Sequence, residues 1–113
     1  MLEVGNHINS TGILFMFADS NASNAARFYS GGFYGNTGTL PLNEWYHLAF
    51  VRNGDTVKIY VNGVERSSVA FTNNLTDSSS AYISDTVGYS YRFQGYMNDL
   101  RVYKGVAKFF FFF

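Results

Sequence analysis

The chain has no cysteine and a single proline, Pro41. Without cysteine there is no disulfide, no thiolate metal site and no cysteine nucleophile. Charge is also scarce: 14% of residues, with acids and bases balancing to a formal net charge of zero. The lysines and arginines are scattered singly, so no basic patch exists to hold nucleic acid. No apolar run reaches the ~18 residues of a membrane-spanning helix. The opening MLEVGNHINS has no basic region leading into an apolar stretch, so a signal peptide is not expected. Apolar residues at helical spacing are missing as well, which removes helical classes of fold.

Aromatic residues are abundant instead. Twelve Phe, nine Tyr and one Trp make 19% of 113 residues, alongside 11 Gly and many Asn, Ser and Thr. That balance fits one all-β domain over residues 1–113, with polar loops between strands. Gly12 to Ala18 is a short apolar run that predicts a strand buried on both faces. Arg27–Ser30 and Phe33–Tyr34 flank Gly31-Gly32 and predict a hairpin. Val69–Phe71 reads as a short edge strand, and Ala81–Val87 as a further one. Arg92–Lys104 reads as the last long strand, with a bulge near Asn98-Asp99 to bring Met97 into phase with Leu100 and Val102. The regular spacing predicts an antiparallel β-sandwich.

The strongest local signal is Trp45 to Glu65. Val57, Ile59 and Val61 alternate with Lys58, Tyr60 and Asn62, the period of a half-buried strand. Asn53-Gly54-Asp55 and Asn62-Gly63 supply residues that accept positive φ at hairpin turns. Taken with Gly95-Tyr96-Met97-Asn98-Asp99-Leu100-Arg101-Val102 and Gly105-Val106-Ala107-Lys108, this hairpin resembles the concanavalin A-like, laminin-G-type jelly-roll superfamily. It is most similar to modules of phage virion proteins and bacterial surface proteins. The likeness runs from about Gly12 to Lys108. Nothing before Gly12 fits the family's opening strand well, and Phe109–Phe113 does not match its exit segment. The resemblance therefore implies a module incomplete at both ends, with strand edges for another chain to cover. Five phenylalanines in a row would be an aggregation hazard if exposed, so that run is either buried against another chain or not genuine sequence.

Hydrolases of this superfamily need two carboxylates roughly 5 Å apart for retaining chemistry. Glu3, Glu44 and Glu65 are isolated and no paired-carboxylate strand is present, so no enzyme is expected. His47 has no Ser, Cys or second His nearby and reads as structural, and His7 sits near the terminus without a visible partner. The resemblance implies calcium at a loop rim, for which Asp19, with Asn21 and Asn24 of the same loop, supplies the candidate ligands and to which Asp77, Asp85 and Asp99 could contribute. No dense Asp-x-Asp-x-Asp run supports it, and a solvated or turn-capping role is the default for each. Asp99 reads as an ion-pair partner of Arg101 or Arg92. Tyr29, Phe33, Tyr34, Tyr89 and Tyr91 lie in or beside loops and are the candidate contacts for a glycan or a partner chain. Three Asn-x-Ser/Thr sequons, at Asn9, Asn21 and Asn74, matter only for a eukaryotic secreted protein.

The resulting expectation is a non-catalytic structural or adhesive module on a virion surface, as a decoration, fibre or tail-associated component of a phage or virus. Its partners would be other virion proteins, copies of itself or surface glycans, engaged through many weak contacts. The alternative is a carbohydrate-binding, lectin-like module of a bacterial or extracellular surface protein.

Overall fold

β-Branched and aromatic residues at alternate positions need a partner strand on each side and an apolar layer on one face. In the computed structural model, which describes residues 1–17, 24–77, 79–85 and 93–105, they obtain both in two antiparallel sheets. The strands are β1 (Leu2–Val4), β2 (Ile13–Phe17), β3 (Ala26–Tyr29), β4 (Phe33–Tyr34), β5 (Leu48–Asn53), β6 (Thr56–Val61), β7 (Val64–Ala70) and β8 (Ala81–Ile83). One sheet has the order β4-β3-β2-β1-β8 and the other β5-β6-β7. Among the described residues there is no helix.

The central hairpin forms as its sequence requires. β5 and β6 pair from Leu48–Val61 to Asn53–Thr56, leaving the two-residue loop Gly54-Asp55 with Gly54 at φ +58. Along β6, Val57, Ile59 and Val61 are buried, and the residues between them are half-buried. At the far end Asn62 and Gly63 both take positive φ, 51 and 80. That second tight turn restarts the strand at once, so β7 begins at Val64. The expected short strand at Val69–Phe71 is thus the end of a seven-residue one, hidden because VERSSVA carries few apolar residues.

Directly opposed residues share a sheet face. In the larger sheet Ile83, Leu2, Phe15, Phe28 and Tyr34 form one such row, and Phe15, Phe28 and Tyr34 face the smaller sheet. There Ile13 and Phe28 meet Val57, Ile59 and Phe71 in the core. Phe28 is fully buried, with Tyr34 stacked on it at 5.4 Å and Phe71 edge-on at 5.2 Å. Fully burying one such side chain is worth about 1.5–3 kcal/mol. A second cluster, Ala26, Leu40 and Val61, continues the interior toward Tyr46 and Leu48.

Arg52 fixes the segment that delivers Phe71. Its guanidinium donates to the carbonyls of Gly54 (3.0 Å), Asn73 (2.8 Å) and Phe71 (3.4 Å), and lies 4.8 Å from the Phe71 ring centroid. Phe71 also donates its N–H to Asp55 O at 2.7 Å.

Four expectations need correction. A strand does precede Gly12: β1 lies between β2 and β8. Trp45, placed in a strand by the sequence, sits ahead of β5 and is 69% exposed. β8 stops at Ile83 because Ser84 turns to φ +68, and its N–H goes to Met1 O; the expected continuation from Thr86 lies outside the described residues. Finally, Phe93–Gly105 contains no strand and no bulge. Asp99 adopts φ +57 there, which an extended ladder cannot hold. Its carboxylate instead takes two 2.8 Å bonds from Arg101, two residues on.

Candidate functional site

The face of the larger sheet turned away from the core carries a second row. Tyr82, Glu3, Leu14, Tyr29 and Phe33 are successive cross-strand partners. A sheet face open to solvent is expected to be polar, yet Glu3 here is 0% exposed. Gly5 explains why. It takes φ +65, and a Cβ on it would lie 2.5 Å from Asp77 O, so only glycine permits the chain to turn back so close to that loop. The turn brings His7 over Glu3.

His7 donates its backbone N–H to Glu3 Oε1 at 3.2 Å, and its Nδ1 lies 2.5 Å from the same oxygen. The imidazole is 8% exposed and sits edge-on to Tyr29 at 5.4 Å and 78°. Tyr29 is in turn edge-on to Phe33, at 4.9 Å and 83°. Edge-to-face pairs of this kind contribute about 0.5–1.5 kcal/mol beyond burial. The guanidinium of Arg27, two residues before Tyr29 and so on the same face, lies 3.8 Å from the Phe33 ring centroid. Phe33 itself remains 52% exposed. A buried carboxylate therefore holds an imidazole, which holds a phenol ring, which holds a half-open aromatic ring beneath a cation.

The loops beneath this row are tied by polar contacts. Ser30 Oγ donates to Gly12 O at 2.6 Å, and Asn73 Nδ2 donates to Ser30 O at 3.0 Å. Asp77 accepts from Asn6 N–H (2.9 Å), Ser79 N–H (3.0 Å) and Ser79 Oγ (2.7 Å). The Ser79 hydroxyl, then the Asn6 and Ser79 amides, hold its carboxyl below the ordinary carboxylate value. Elsewhere Glu65 accepts from Lys58 Nζ at 2.8 Å and raises the lysine above its usual value.

Of the five aromatic candidates, the structure brings Tyr29 and Phe33 together on the outer face. Tyr34, next in sequence, points the other way into the core between Phe28 and Phe71, as strand alternation requires. Tyr89 and Tyr91 lie outside the described residues, as do Asp19 and Asn21. Asn24 is described, in a left-handed turn at φ 61 with its carbonyl accepting Leu40 N–H at 3.0 Å. Among the described residues no group of three or more His, Asp or Glu could hold a metal ion. Asp77 and Asp99 each accept hydrogen bonds from protein donors.

Sequence reading passed over Arg27, took Glu3 as isolated and gave His7 no partner; the structure corrects the last two by pairing them. Arg27 was recoverable, because the 27–34 hairpin places residues 27, 29 and 33 on one face. Glu3 and His7 were not, since their meeting depends on the turn at Gly5 rather than on any strand period.

The two sheets and their shared core define the protein as an antiparallel β-sandwich with its aromatic row on an outer face. Residues 3–108 match the profile of a laminin G family described as the concanavalin A-like lectin/glucanases superfamily, and the chain belongs to it. The match reaches back past Gly12 and takes in most of β1. No curated protein and no solved structure gives a match.

Proposed function

We propose that this domain is a non-catalytic structural and adhesive module displayed on a phage or virus particle. Membership of the superfamily is compatible with carbohydrate binding or adhesion. The observation that carries the reading is the surface beside β8. Tyr96 is 86% exposed, and Met97, Leu100, Val102 and Tyr103 are exposed with it; Tyr82 and Ile83 of the edge strand are exposed as well. The segment is tied to the end of β8 by Phe93, whose N–H donates to Ser84 O at 3.1 Å, and the Met97 sulfur lies 3.3 Å from the Met1 amine. So much apolar surface in one short segment fits a face that beds against neighbouring protein. The non-catalytic part is supported by the glutamates: Glu3 holds His7, Glu44 accepts from Tyr46, and Glu65 accepts from Lys58. Antibody raised against the purified domain should label assembled particles made from the genome that carries the gene. Labelling confined to host envelope fractions would overturn the placement.

A second reading, a lectin-like module of a bacterial or extracellular surface protein, draws on the Tyr29–Phe33–Arg27 row. A half-open ring held in place by neighbours suits stacking on a sugar. A glycan array run with and without a calcium chelator tests it; binding to no glycan would remove it.

A further inference from the structure

We propose that Asn53 is a site of spontaneous deamidation through ring closure with Gly54, and that the chain's other Asn-Gly pair, Asn62-Gly63, is protected from it by the fold. Asparagine before glycine is where this chemistry runs fastest, because glycine has no Cβ to shield its own nitrogen. The Gly54 nitrogen attacks Asn53 Cγ and closes a cyclic imide. The Cγ–Nδ2 bond breaks, and ammonia leaves with the proton that Gly54 gives up. Water then adds to either imide carbonyl and opens the ring. One opening leaves aspartate at position 53; the other leaves isoaspartate, with the main chain rerouted through the side-chain carbons. Both add a negative charge to a chain whose formal net charge is zero.

Exposure does not separate the two pairs, since Asn53 and Asn62 are both exposed. Hydrogen bonding does. Asn62 Oδ1 accepts the His47 N–H at 2.9 Å, and the Asn62 N–H donates to His47 O at 2.8 Å. Side chain and backbone are thus pinned to one neighbour, and Cγ cannot swing toward Gly63 N until those bonds break. Asn53 has no such tether: among the described residues its carboxamide has no hydrogen-bond partner. It lines a hollow of about 270 Å³ with Val51, Thr56 and Lys58, which leaves room for the amide to turn and for water to enter. Gly54 is equally open, for a Cβ built on it meets nothing within 4 Å.

The turn sets the pace. Asn53 pairs with Thr56 as the last rung of the β5–β6 ladder, and strand backbone keeps Gly54 N away from Cγ. Attack requires that rung to open, as the ends of ladders do most readily. Arg52 restrains the same turn by donating to Gly54 O at 3.0 Å, so weakening this clamp speeds the reaction at Asn53 and leaves Asn62 alone.

The test is peptide mapping of the full chain aged at mildly alkaline pH. Trypsin cuts after Arg52, Lys58 and Arg66, which puts the two pairs on separate peptides, 53–58 and 59–66. In the folded chain, peptide 53–58 should gain the amide-to-acid mass change, with a resolved isoaspartate peak, at least about fivefold faster than 59–66, the factor that one net hydrogen bond is worth. In urea the two rates should converge, because both pairs are then untethered. Arg52→Lys, which keeps the tryptic site, should speed 53–58 only. Conversion of 59–66 as fast as 53–58 in the folded chain, or the same ratio persisting in urea, would overturn the proposal. So would a folded chain whose peptide 53–58 stays unmodified while the unfolded chain converts.

Discussion

His7 Nδ1 lies 2.5 Å from Glu3 Oε1, and both side chains are buried on the sheet face that points away from the core. Removing one member of a buried pair strands the other, which typically costs about 3–5 kcal/mol. Domains of this kind have only about 5–15 kcal/mol of stability in total. Glu3→Ala and His7→Ala should each lower the unfolding free energy obtained from urea titration by about 3 kcal/mol. The double change Glu3→Val with His7→Phe should recover much of that, because no polar group is then left unpaired. Single variants that melt like wild type would show that the pair holds nothing.

Asp77 gives a pH dependence with a definite sign. Its carboxyl sits below the ordinary 3.8, chiefly through the Ser79 hydroxyl and then the Asn6 and Ser79 amides. A depressed carboxylate contributes stability above its unfolded value and loses it as pH falls through the folded one. Wild type should therefore be more stable than Asp77→Asn at neutral pH. The difference should hold down to about pH 4 and shrink below it. Thermal melts of both proteins across pH 2–7 measure this; a gap that persists undiminished at pH 2 would exclude the carboxylate as its source.

Arg52 closes three carbonyls over one aromatic ring. Lysine keeps the charge but not the planar fork. Arg52→Ala should cost about 1–2 kcal/mol, and Arg52→Lys should recover less than half. Hydrogen exchange should locate the loosening at Phe71–Asn73 rather than in β1–β2. Uniform loss of protection across both sheets would argue against a local clamp.

The parts of this fold that follow a local rule were legible in the sequence, and the parts that depend on contacts between distant segments were not. β5 and β6 announce themselves through period-two alternation and a Gly-containing turn, and the 27–34 hairpin through Gly31-Gly32. β1 has three residues and a buried charge at its centre, so no hydrophobic pattern marks it. β7 is polar on both faces, and only the turn at Asn62-Gly63 betrays it. Phe93–Gly105 shows the reverse error. Its sequence alternates like a strand, but a strand needs a neighbour, and Asp99 and Arg101 bond to each other instead of to a ladder. For the site, alternation separates Tyr34 from Phe33 without any structure. The backing of Tyr29 by His7 and Glu3 needed the turn at Gly5.

The exposed segment offers the most direct check on the structural reading. Tyr96, Leu100 and Val102 stand in solvent, and exposed substitutions of this kind usually change stability by less than ~0.5 kcal/mol. Leu100→Glu with Val102→Lys should therefore leave the urea midpoint almost unmoved. If the segment normally beds against protein, wild type should self-associate as concentration rises, since no partner is present to cover it. Light scattering coupled to size exclusion should then show wild type growing in mass while the double variant stays monomeric. A wild-type chain that remains a monodisperse monomer at high concentration would mean the apolar surface is inert. The case for an inter-subunit role would then rest on β8 alone, whose three residues are too short an edge to recruit a partner strand unaided.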